Sequence, residues 1–181
     1  MNEEQLIEIT NILREMKFDP HQGLPEELFL FVSGVTPIPN VDLMITNEKN
    51  ELLLSWRDDP YFGTGWHIPG GCIRFGETML ERVQKTAMEE IGTEVITGKE
   101  PIAVRDILCH GRTGLKHPNE RGHHVTILFA CRLPEGFKID NGSKREDEAG
   151  YLKWFDKVPE NILQVHDAYK DILTEWERKE K

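Results

Sequence analysis

The chain has 181 residues and a formal net charge of −10, with 22 Lys and Arg against 32 Asp and Glu. This length favours one domain, spanning residues 1–181, with a sizeable core. The acidic balance argues against nucleic-acid binding, which needs clustered basic side chains. Three cysteines without a Cys-x-x-Cys pair indicate neither a disulfide framework nor a zinc site. Without a long apolar run or a secretion signal, we expect a cytoplasmic protein that does not contact membranes.

Residues 1–35 are predicted to form a helical extension. Within residues 2–17, apolar side chains recur at helical spacing, and Asn2 with Gln5 three positions later is typical of a capping box. A second short helix is predicted with Pro25 at its first position, followed by an apolar run. Because that run is too apolar to lie free in water, we expect the extension to pack on the domain or on a second subunit.

The rest of the chain predicts strands with helices on both sides, which is typical of an α/β or α+β layered domain. Residues 58–65 are interpreted as a polar loop, and a final helix is predicted from Pro159. The predicted strands are residues 41–46, 51–57, 94–97, 102–109, 124–133 and 151–155.

One long connection is unusually basic. Residues 110–124 contain four histidines together with Arg112, Lys116 and Arg121 in an otherwise acidic chain. Loops of this length between strands are often functional or disordered. Two interpretations stay open: a loop that holds phosphates or a sugar, and a solvated hairpin tip.

The segment from residue 66 to residue 93 carries the chemistry. A Pro-Gly-Gly turn and an isolated Glu77 precede a helix that ends with the pair Glu89 and Glu90. Both glutamates lie on one face of that helix, whereas its apolar stripe lies elsewhere. Clustered carboxylates repel one another unless a cation offsets them, and hard oxygen ligands suit Mg²⁺ or Mn²⁺. A bare acidic pair is usually solvated, but the glycine turn and Glu77 favour a metal site.

This segment resembles the Nudix hydrolase box: Gly, five residues, Glu, seven residues, then Arg-Glu-apolar-x-Glu-Glu-x-Gly-apolar. Lys85 stands in place of the box arginine, Thr86 in place of a glutamate, and Thr93 in place of an apolar residue. The resemblance implies a Nudix-type α/β/α sandwich with a mixed sheet, and a divalent metal cofactor. The matching positions are Gly71, Glu77, Ala87, Glu89, Glu90 and Gly92.

Over residues 34–170 the chain is most similar to the GDP-mannose mannosyl hydrolase branch, which also lacks the glutamate at position 86. The resemblance implies that Asp42 binds substrate and that Arg57 lies on the diphosphate. The branch's second phosphate-binding arginine aligns with Cys72, and Arg74 is expected to replace it if that segment is extended. By analogy with the branch, we also expect a homodimer.

The family pattern implies roles for the carboxylates. Glu89 and Glu90 are expected to hold the metal with the backbone carbonyl of Gly70. Glu77 is expected to orient the loop and helix, or to support a metal without binding it directly, and Lys85 to pair with Glu77 or Glu81. Glu148 stands where Nudix enzymes often have a loop carboxylate that binds metal or activates water, although it is also interpretable as one acid in a solvated loop.

The histidine base of the GDP-mannose branch aligns with Ala149, which weakens the mechanism of attack at the sugar carbon. We therefore expect Mg²⁺-dependent attack by water at phosphorus of a nucleoside diphosphate linked to another group, such as a GDP-mannose-like or ADP-sugar nucleotide. The alternative is a Nudix-fold sensor that binds a nucleotide sugar without turnover. The predicted catalytic residues are Glu89, Glu90, Glu148 and Arg57; the predicted substrate-binding residues are Asp42, Arg57, Arg74 and Trp66, with Tyr61 or Phe62 as other stacking candidates.

Overall fold

The computed structural model describes residues 2–108 and 123–178. The predicted basic loop therefore lies largely outside the described residues, as does Cys109. Its last two residues, His123 and His124, are described and belong to a strand. None of the described helices is long and apolar enough to cross a membrane.

The N-terminal extension is helical, as predicted. Helix α1 spans Glu3–Glu15 and begins with the predicted capping box, in which the Asn2 side chain accepts from the backbone N–H of Gln5. A 3₁₀ turn (Pro20–Gln22) leads to helix α2, which spans Glu26–Val35 and has Pro25 as its N-cap rather than its first residue.

The extension contacts the rest of the domain through its 3₁₀ turn and helix α2. The Tyr61 hydroxyl donates to Glu26 Oε1 at 2.9 Å. The His21 and Phe75 rings lie 5.4 Å apart. Helix α1 has no buried residue, and Ser33 is the buried residue of α2. The two helices of the extension therefore bury little of their own side-chain surface.

A five-stranded mixed sheet forms the centre of the domain. Strands β1 and β7 are parallel, while β4, β5 and β6 pair antiparallel with their neighbours, giving the order β4-β1-β7-β5 with β6 also on β7. This arrangement confirms the predicted mixed sheet. The strands are β1 (Ile38–Ile45), β4 (Gly70–Cys72), β5 (Ile96–Thr97), β6 (Ala103–Leu108) and β7 (His123–Arg132).

A second, antiparallel sheet contains β2 (Leu52–Asp59), β3 (Gly63–His67) and β8 (Leu152–Phe155) in the order β3-β2-β8. The predicted polar loop 58–65 is wrong at both ends, because β2 and β3 form a hairpin there. The Asp59 carboxylate accepts from the backbone N–H groups of Tyr61 and Phe62 and closes the short turn. Local hydrogen bonding by an aspartate stabilises such turns without help from apolar alternation.

Two helices complete the layers. Helix α3 (Met79–Glu90) buries Val83 and Ala87 against the central sheet, and helix α4 (Lys170–Arg178) buries Leu173 and Trp176 in a second cluster. These layers confirm the predicted fold class.

The C-terminal helical region begins later than predicted, with a 3₁₀ segment (Gln164–Tyr169) ahead of α4. The residues after Pro159 are not yet helical, because their backbone pairs with β3. Trp66 N–H donates to Asn161 O at 3.1 Å, and Leu163 N–H donates to Trp66 O at 2.8 Å.

Candidate active site

The double glycine brings β4 into direct contact with both α3 and β1. A Cβ atom on Gly71 would lie 2.6 Å from Thr86 Oγ1, and one on Gly70 would overlap Asp42 Oδ1. In the β-ladder, Gly70 stands opposite Asp42. Any larger residue would push β4 away from the helix end, so the turn fixes where the carboxylates of α3 meet the sheet.

Glu90 is held by groups of the sheet. Its Oε1 accepts from the Gly70 N–H at 3.2 Å, and its Oε2 lies 3.1 Å from His67 Nε2. His67 Nδ1 lies 2.9 Å from the carbonyl oxygen of Ser55. Both ring nitrogens of His67 therefore face oxygen atoms, which fixes the orientation of the ring beside Glu90.

This environment keeps Glu90 ionised. Burial opposes the charge, but the charge of His67 and its hydrogen bond, together with Arg57 and the Gly70 N–H, outweigh burial and hold the pKa of Glu90 below its usual range. Glu90 is thus a negatively charged oxygen donor at neutral pH, as divalent-metal binding requires.

Glu89 is held by the helix itself. Its Oε2 accepts from Arg82 Nη2 at 2.7 Å, and its Oε1 lies 3.5 Å from Arg74 Nη2. Half of its side chain is exposed, whereas that of Arg82 is 1% exposed. Arg82 also donates from Nε to Thr86 Oγ1 at 3.0 Å. Position 86, where the family box has a glutamate, therefore supports the arginine that holds Glu89.

Glu77 orients the loop and the helix, as predicted. Its Oε2 accepts from the backbone N–H of Arg74 at 2.9 Å and lies 3.7 Å from Arg82 Nη1. Lys85 Nζ donates to Glu77 Oε1 at 2.9 Å, which selects Glu77 over Glu81 as its partner. Burial opposes its ionisation, but the Arg74 N–H and the two cations outweigh burial and lower the pKa of Glu77.

Three adjoining cavities surround the glutamate pair. The carboxylate cavity, of about 320 Å³, is lined by Glu89 and Glu90. The polar pocket, of about 170 Å³, shares Arg57 and His67 with the carboxylate cavity. The extension pocket, of about 720 Å³, lies beneath the N-terminal helices and shares Glu89 with the carboxylate cavity. Glu89 thus lies between the carboxylate cavity and the extension pocket, while Arg57 and His67 lie between the carboxylate cavity and the polar pocket.

Two predicted substrate-binding residues lie at the polar pocket. Arg57 lies 3.7 Å from Asp59 and 6.0 Å from the Phe62 ring, and it lines both the polar pocket and the carboxylate cavity. Asp42 lies at the pocket wall with its oxygens accepting from Asn40, Thr126 and Tyr169. Burial raises the pKa of Asp42 despite these hydrogen bonds.

The other two predicted substrate-binding residues lie apart from the polar pocket. Arg74 follows the end of β4 and lines the extension pocket with Cys72. Trp66 is 3% exposed and packs against Trp56 and Phe155 at 5.1 and 4.8 Å. Its prediction as a stacking residue is wrong for this conformation, since the ring lies in the core and lines none of the three cavities.

Of the other stacking candidates, Phe62 lines the polar pocket, whereas Tyr61 is engaged with Glu26 of the extension.

The structure does not bring Glu148 to the glutamate pair. Its Oε1 accepts from Arg145 Nε at 2.9 Å, and its side chain is 44% exposed. The neighbours Ala149 and Gly150 line the carboxylate cavity, but Glu148 does not. A role for Glu148 in the reaction requires its ion pair with Arg145 to open.

The donor set suits Mg²⁺ only with help from substrate or water. In residues 2–108 and 123–178, no group of three His, Cys, Asp or Glu side chains is arranged to hold a metal. Mg²⁺ keeps several waters and is commonly bound by one or two carboxylates plus substrate phosphates. Glu89 and Glu90, facing one cavity beside Arg57, fit that pattern. The predicted ligand role of the Gly70 carbonyl stays a prediction.

Sequence reasoning missed two residues of this site. Arg82 precedes Thr86 by four positions and Glu89 by seven, so helical spacing already places all three on one face. His67 lines two cavities and contacts Glu90. Its place opposite Ser55 on a β-hairpin carries no local sequence signal.

A family model described as the NUDIX domain matches residues 36–173. This match covers more than half of the chain, which therefore belongs to the Nudix family and is a Nudix hydrolase. Within the family, the assignment to the GDP-mannose branch stays a prediction.

Two relatives align over most of this chain. The low-salt glycan biosynthesis protein Agl8 of Haloferax volcanii is 30% identical over 158 residues, covering 85% of this chain and 93% of that protein. An ADP-ribose pyrophosphatase of Methanocaldococcus jannaschii is 27% identical over 139 residues, covering 76% of this chain and 73% of that protein.

Among solved structures, the MutT protein from Methanosarcina mazei Go1 superposes with a TM-score of 0.57 at 21% identity, covering 81% of this chain and 98% of that chain. At this identity the likeness establishes the fold.

Proposed function

We propose that this protein is a divalent-metal-dependent hydrolase of a nucleoside diphosphate linked to a second group, most simply a nucleotide sugar. The observation that carries the proposal is the placement of Glu89 and Glu90 beside Arg57 on one cavity, with a separate pocket on either side. A diphosphate with two substituents has the same layout: a charged centre and two ends.

A divalent cation held by Glu89 and Glu90 would offset charge on the diphosphate and lower the pKa of a coordinated water. The protein's own groups prepare this site. His67 and the Gly70 N–H fix Glu90 in its ionised form, and Arg82 fixes one oxygen of Glu89.

Arg57, which lines both the polar pocket and the carboxylate cavity, is the proposed ligand of diphosphate oxygens. Its guanidinium is a fixed cation that can donate two parallel hydrogen bonds to phosphate. In that position it offsets the charge that develops on the leaving oxygen as the P–O bond breaks. The products of attack at phosphorus are a nucleoside monophosphate and a phosphorylated second group, with the water oxygen on one of the two phosphates.

Attack at phosphorus is favoured over attack at the sugar carbon. Ala149, which aligns with the histidine base of the GDP-mannose branch, lines the carboxylate cavity with a methyl group that cannot accept a proton. The relative named as an ADP-ribose pyrophosphatase supports a diphosphate-cleaving reaction. Glu148 is the proposed carboxylate for water activation once it leaves Arg145.

Product analysis in ¹⁸O-labelled water tests this proposal. The protein is incubated with Mg²⁺ and a panel of nucleotide sugars and ADP-ribose, and the products are identified by mass spectrometry. We expect label in a nucleoside monophosphate or in the phosphorylated second group. Label in a free sugar, with release of a nucleoside diphosphate, would contradict attack at phosphorus.

A sensor that binds a nucleotide sugar without turnover is the second candidate. The ion pair between Arg82 and Glu89, at 2.7 Å, favours it because that pair already offsets the charge of one metal-binding carboxylate. Tight binding of a nucleotide sugar, with no product after long incubation with Mg²⁺ or Mn²⁺, would support this candidate over the hydrolase.

The homodimer also stays a proposal. Helix α1 exposes a run of large apolar side chains that a second copy could cover, and light scattering after gel filtration would test it. These side chains are Leu6, Ile7, Ile9, Ile12 and Leu13.

A further inference from the structure

We propose that the extension pocket binds the nucleobase of the substrate, which leaves the polar pocket for the second group. This inference rests on the proposed function and deepens it, because it assigns each end of the substrate to one pocket. It also gives the N-terminal extension, residues 2–35, a part in substrate recognition.

The extension pocket is placed to receive one end of a bound diphosphate. Glu89 and Arg74 both line it, with Glu89 Oε1 and Arg74 Nη2 3.5 Å apart, and Glu89 also lines the carboxylate cavity. A phosphate between the two cavities would therefore meet the Arg74 guanidinium as its substituent enters the pocket. At about 720 Å³, the pocket has the size of typical small-ligand sites.

The walls of the extension pocket suit a flat apolar ring with a few polar atoms. Three aromatic side chains line it: Phe18 and Phe29 from the extension, and Phe75 from the segment before α3. Nucleobases bind proteins largely by stacking on such rings. The Gln22 amide, also on the wall, offers the donor and acceptor that a base edge can pair with.

The polar pocket suits the opposite end of the substrate. It is about 170 Å³, and its lining includes Asn40, Asp42, His124 and His166. Amide, carboxyl and imidazole groups can donate to or accept from sugar hydroxyls. The extension pocket, at about 720 Å³, is much the larger of the two and has three aromatic rings in its wall. Size and these side chains therefore assign the two ends of the substrate to different pockets.

The extension must be docked for its pocket to exist. A Cβ atom on Gly76 would lie 2.8 Å from the His21 ring, so the glycine permits the extension to approach the loop before α3. Gly76 also has a φ of +79°, which favours glycine. The Tyr61 hydroxyl provides a second contact to the extension by donating to Glu26 at 2.9 Å. These contacts hold on the domain the extension whose residues form part of the pocket wall.

Calorimetric binding of AMP, GMP and ribose 5-phosphate to the full chain with Mg²⁺ tests the inference. The variant Leu24→Trp fills the pocket, and Phe29→Ala removes one of its rings. The control is Phe31→Ala, since Phe31 lies on the same helix, is 63% exposed and does not line the pocket. Circular dichroism checks that each variant is folded.

In the wild type, we expect at least one nucleotide to bind more tightly than ribose 5-phosphate. Leu24→Trp is expected to weaken that nucleotide by about 10- to 100-fold, the equivalent of one lost stacking interaction, and to leave ribose 5-phosphate almost unchanged. Phe29→Ala should act in the same direction, and Phe31→Ala should have no effect.

Equal nucleotide binding in wild type and Leu24→Trp would overturn the inference. So would binding of geranyl diphosphate that is lost in Leu24→Trp while nucleotide binding is kept, because the pocket would then hold an aliphatic chain. Failure of the proposed function has a different readout: the wild type would hydrolyse no nucleotide sugar, whatever ligand the pocket binds.

Discussion

Two neighbouring glutamates at the end of α3 face two different regions of the molecule. Glu90 belongs to the sheet side of the site, where it contacts His67 and the backbone of Gly70. Glu89 belongs to the extension side, where Arg82 and Arg74 surround it and half of its side chain is exposed. The two adjacent glutamates therefore have different surroundings. Glu90 is fixed by the core, whereas Glu89 is fixed by side chains of its own helix and of the preceding loop.

This difference has a chemical consequence. The sheet side offers a preorganised, ionised oxygen donor, because its partners are backbone groups and a buried histidine. The extension side offers a donor whose charge Arg82 already offsets in part. We therefore expect Glu90 to contribute more than Glu89 to metal binding.

The largest expected effect tests whether Glu90 contributes more than Glu89 to metal binding. Glu90→Gln removes the fixed anionic donor, and a loss of several kcal/mol of transition-state stabilisation corresponds to a fall of about 10³-fold in kcat/KM. Glu89→Gln should lower kcat/KM by about 10²-fold, which is tenfold less than the fall expected for Glu90→Gln. Initial rates on the hydrolysed nucleotide, measured across a Mg²⁺ titration, compare the two variants. A larger loss in Glu89→Gln would reverse the comparison.

Glu77 has two cationic partners, the buried Arg82 and the exposed Lys85. Arg82→Met should lower the free energy of unfolding by about 3–5 kcal/mol, because it removes a buried guanidinium and leaves the Glu77 carboxylate, which is 4% exposed, without that partner. Lys85→Met, at a side chain that is 54% exposed, should cost at most about 1 kcal/mol. Urea denaturation measures both variants. Similar costs would show that the buried guanidinium does not hold the extension side together.

Glu148 lies neither on the sheet side nor on the extension side of the site. If it leaves Arg145 to activate water, Glu148→Gln should lower kcat by about 10²-fold, the usual contribution of general base catalysis. Arg145→Met should leave kcat equal or higher, since it frees the carboxylate. Rates within a factor of about two of wild type in Glu148→Gln would assign the residue to the solvated loop.

The smallest expected effect is a pH dependence of stability at Glu77. Its pKa in the folded protein lies below the ordinary 4.5, so the ionised carboxylate stabilises the fold above pH 4.5. This stabilisation is lost as the pH falls below 4.5 through the lowered pKa. Glu77→Gln should therefore be less stable by about 1 kcal/mol at neutral pH, with a gap that closes in acid. A gap independent of pH would show that charge is not its cause.

Much of the fold is visible in the sequence because local patterns produce it. The capping box at Asn2 is a short-range signal, and the helix that it begins forms as predicted. The strand predicted over residues 41–46 also forms, as part of β1. The glycine turn and the glutamate pair likewise follow from spacing along one segment.

What the sequence does not show depends on distant contacts. Trp66 lies in a cluster of aromatic side chains contributed by other strands, and nothing next to it in the chain indicates that burial. His67 meets Glu90 across 23 residues, because the sheet and α3 are brought together by the glycine turn. The short turn after Asp59 was missed because side-chain hydrogen bonds, rather than apolar alternation, define it.

The most direct test of the central claim is Mn²⁺ binding, measured by electron paramagnetic resonance, with and without a methylene-bridged nucleoside diphosphate that cannot be hydrolysed. We expect weak binding of Mn²⁺ to the protein alone, because two carboxylates need further oxygen ligands, and tighter binding once the diphosphate is present. Glu90→Gln should abolish that tightening. Mn²⁺ binding that is unchanged in Glu90→Gln would contradict a metal site at the end of α3.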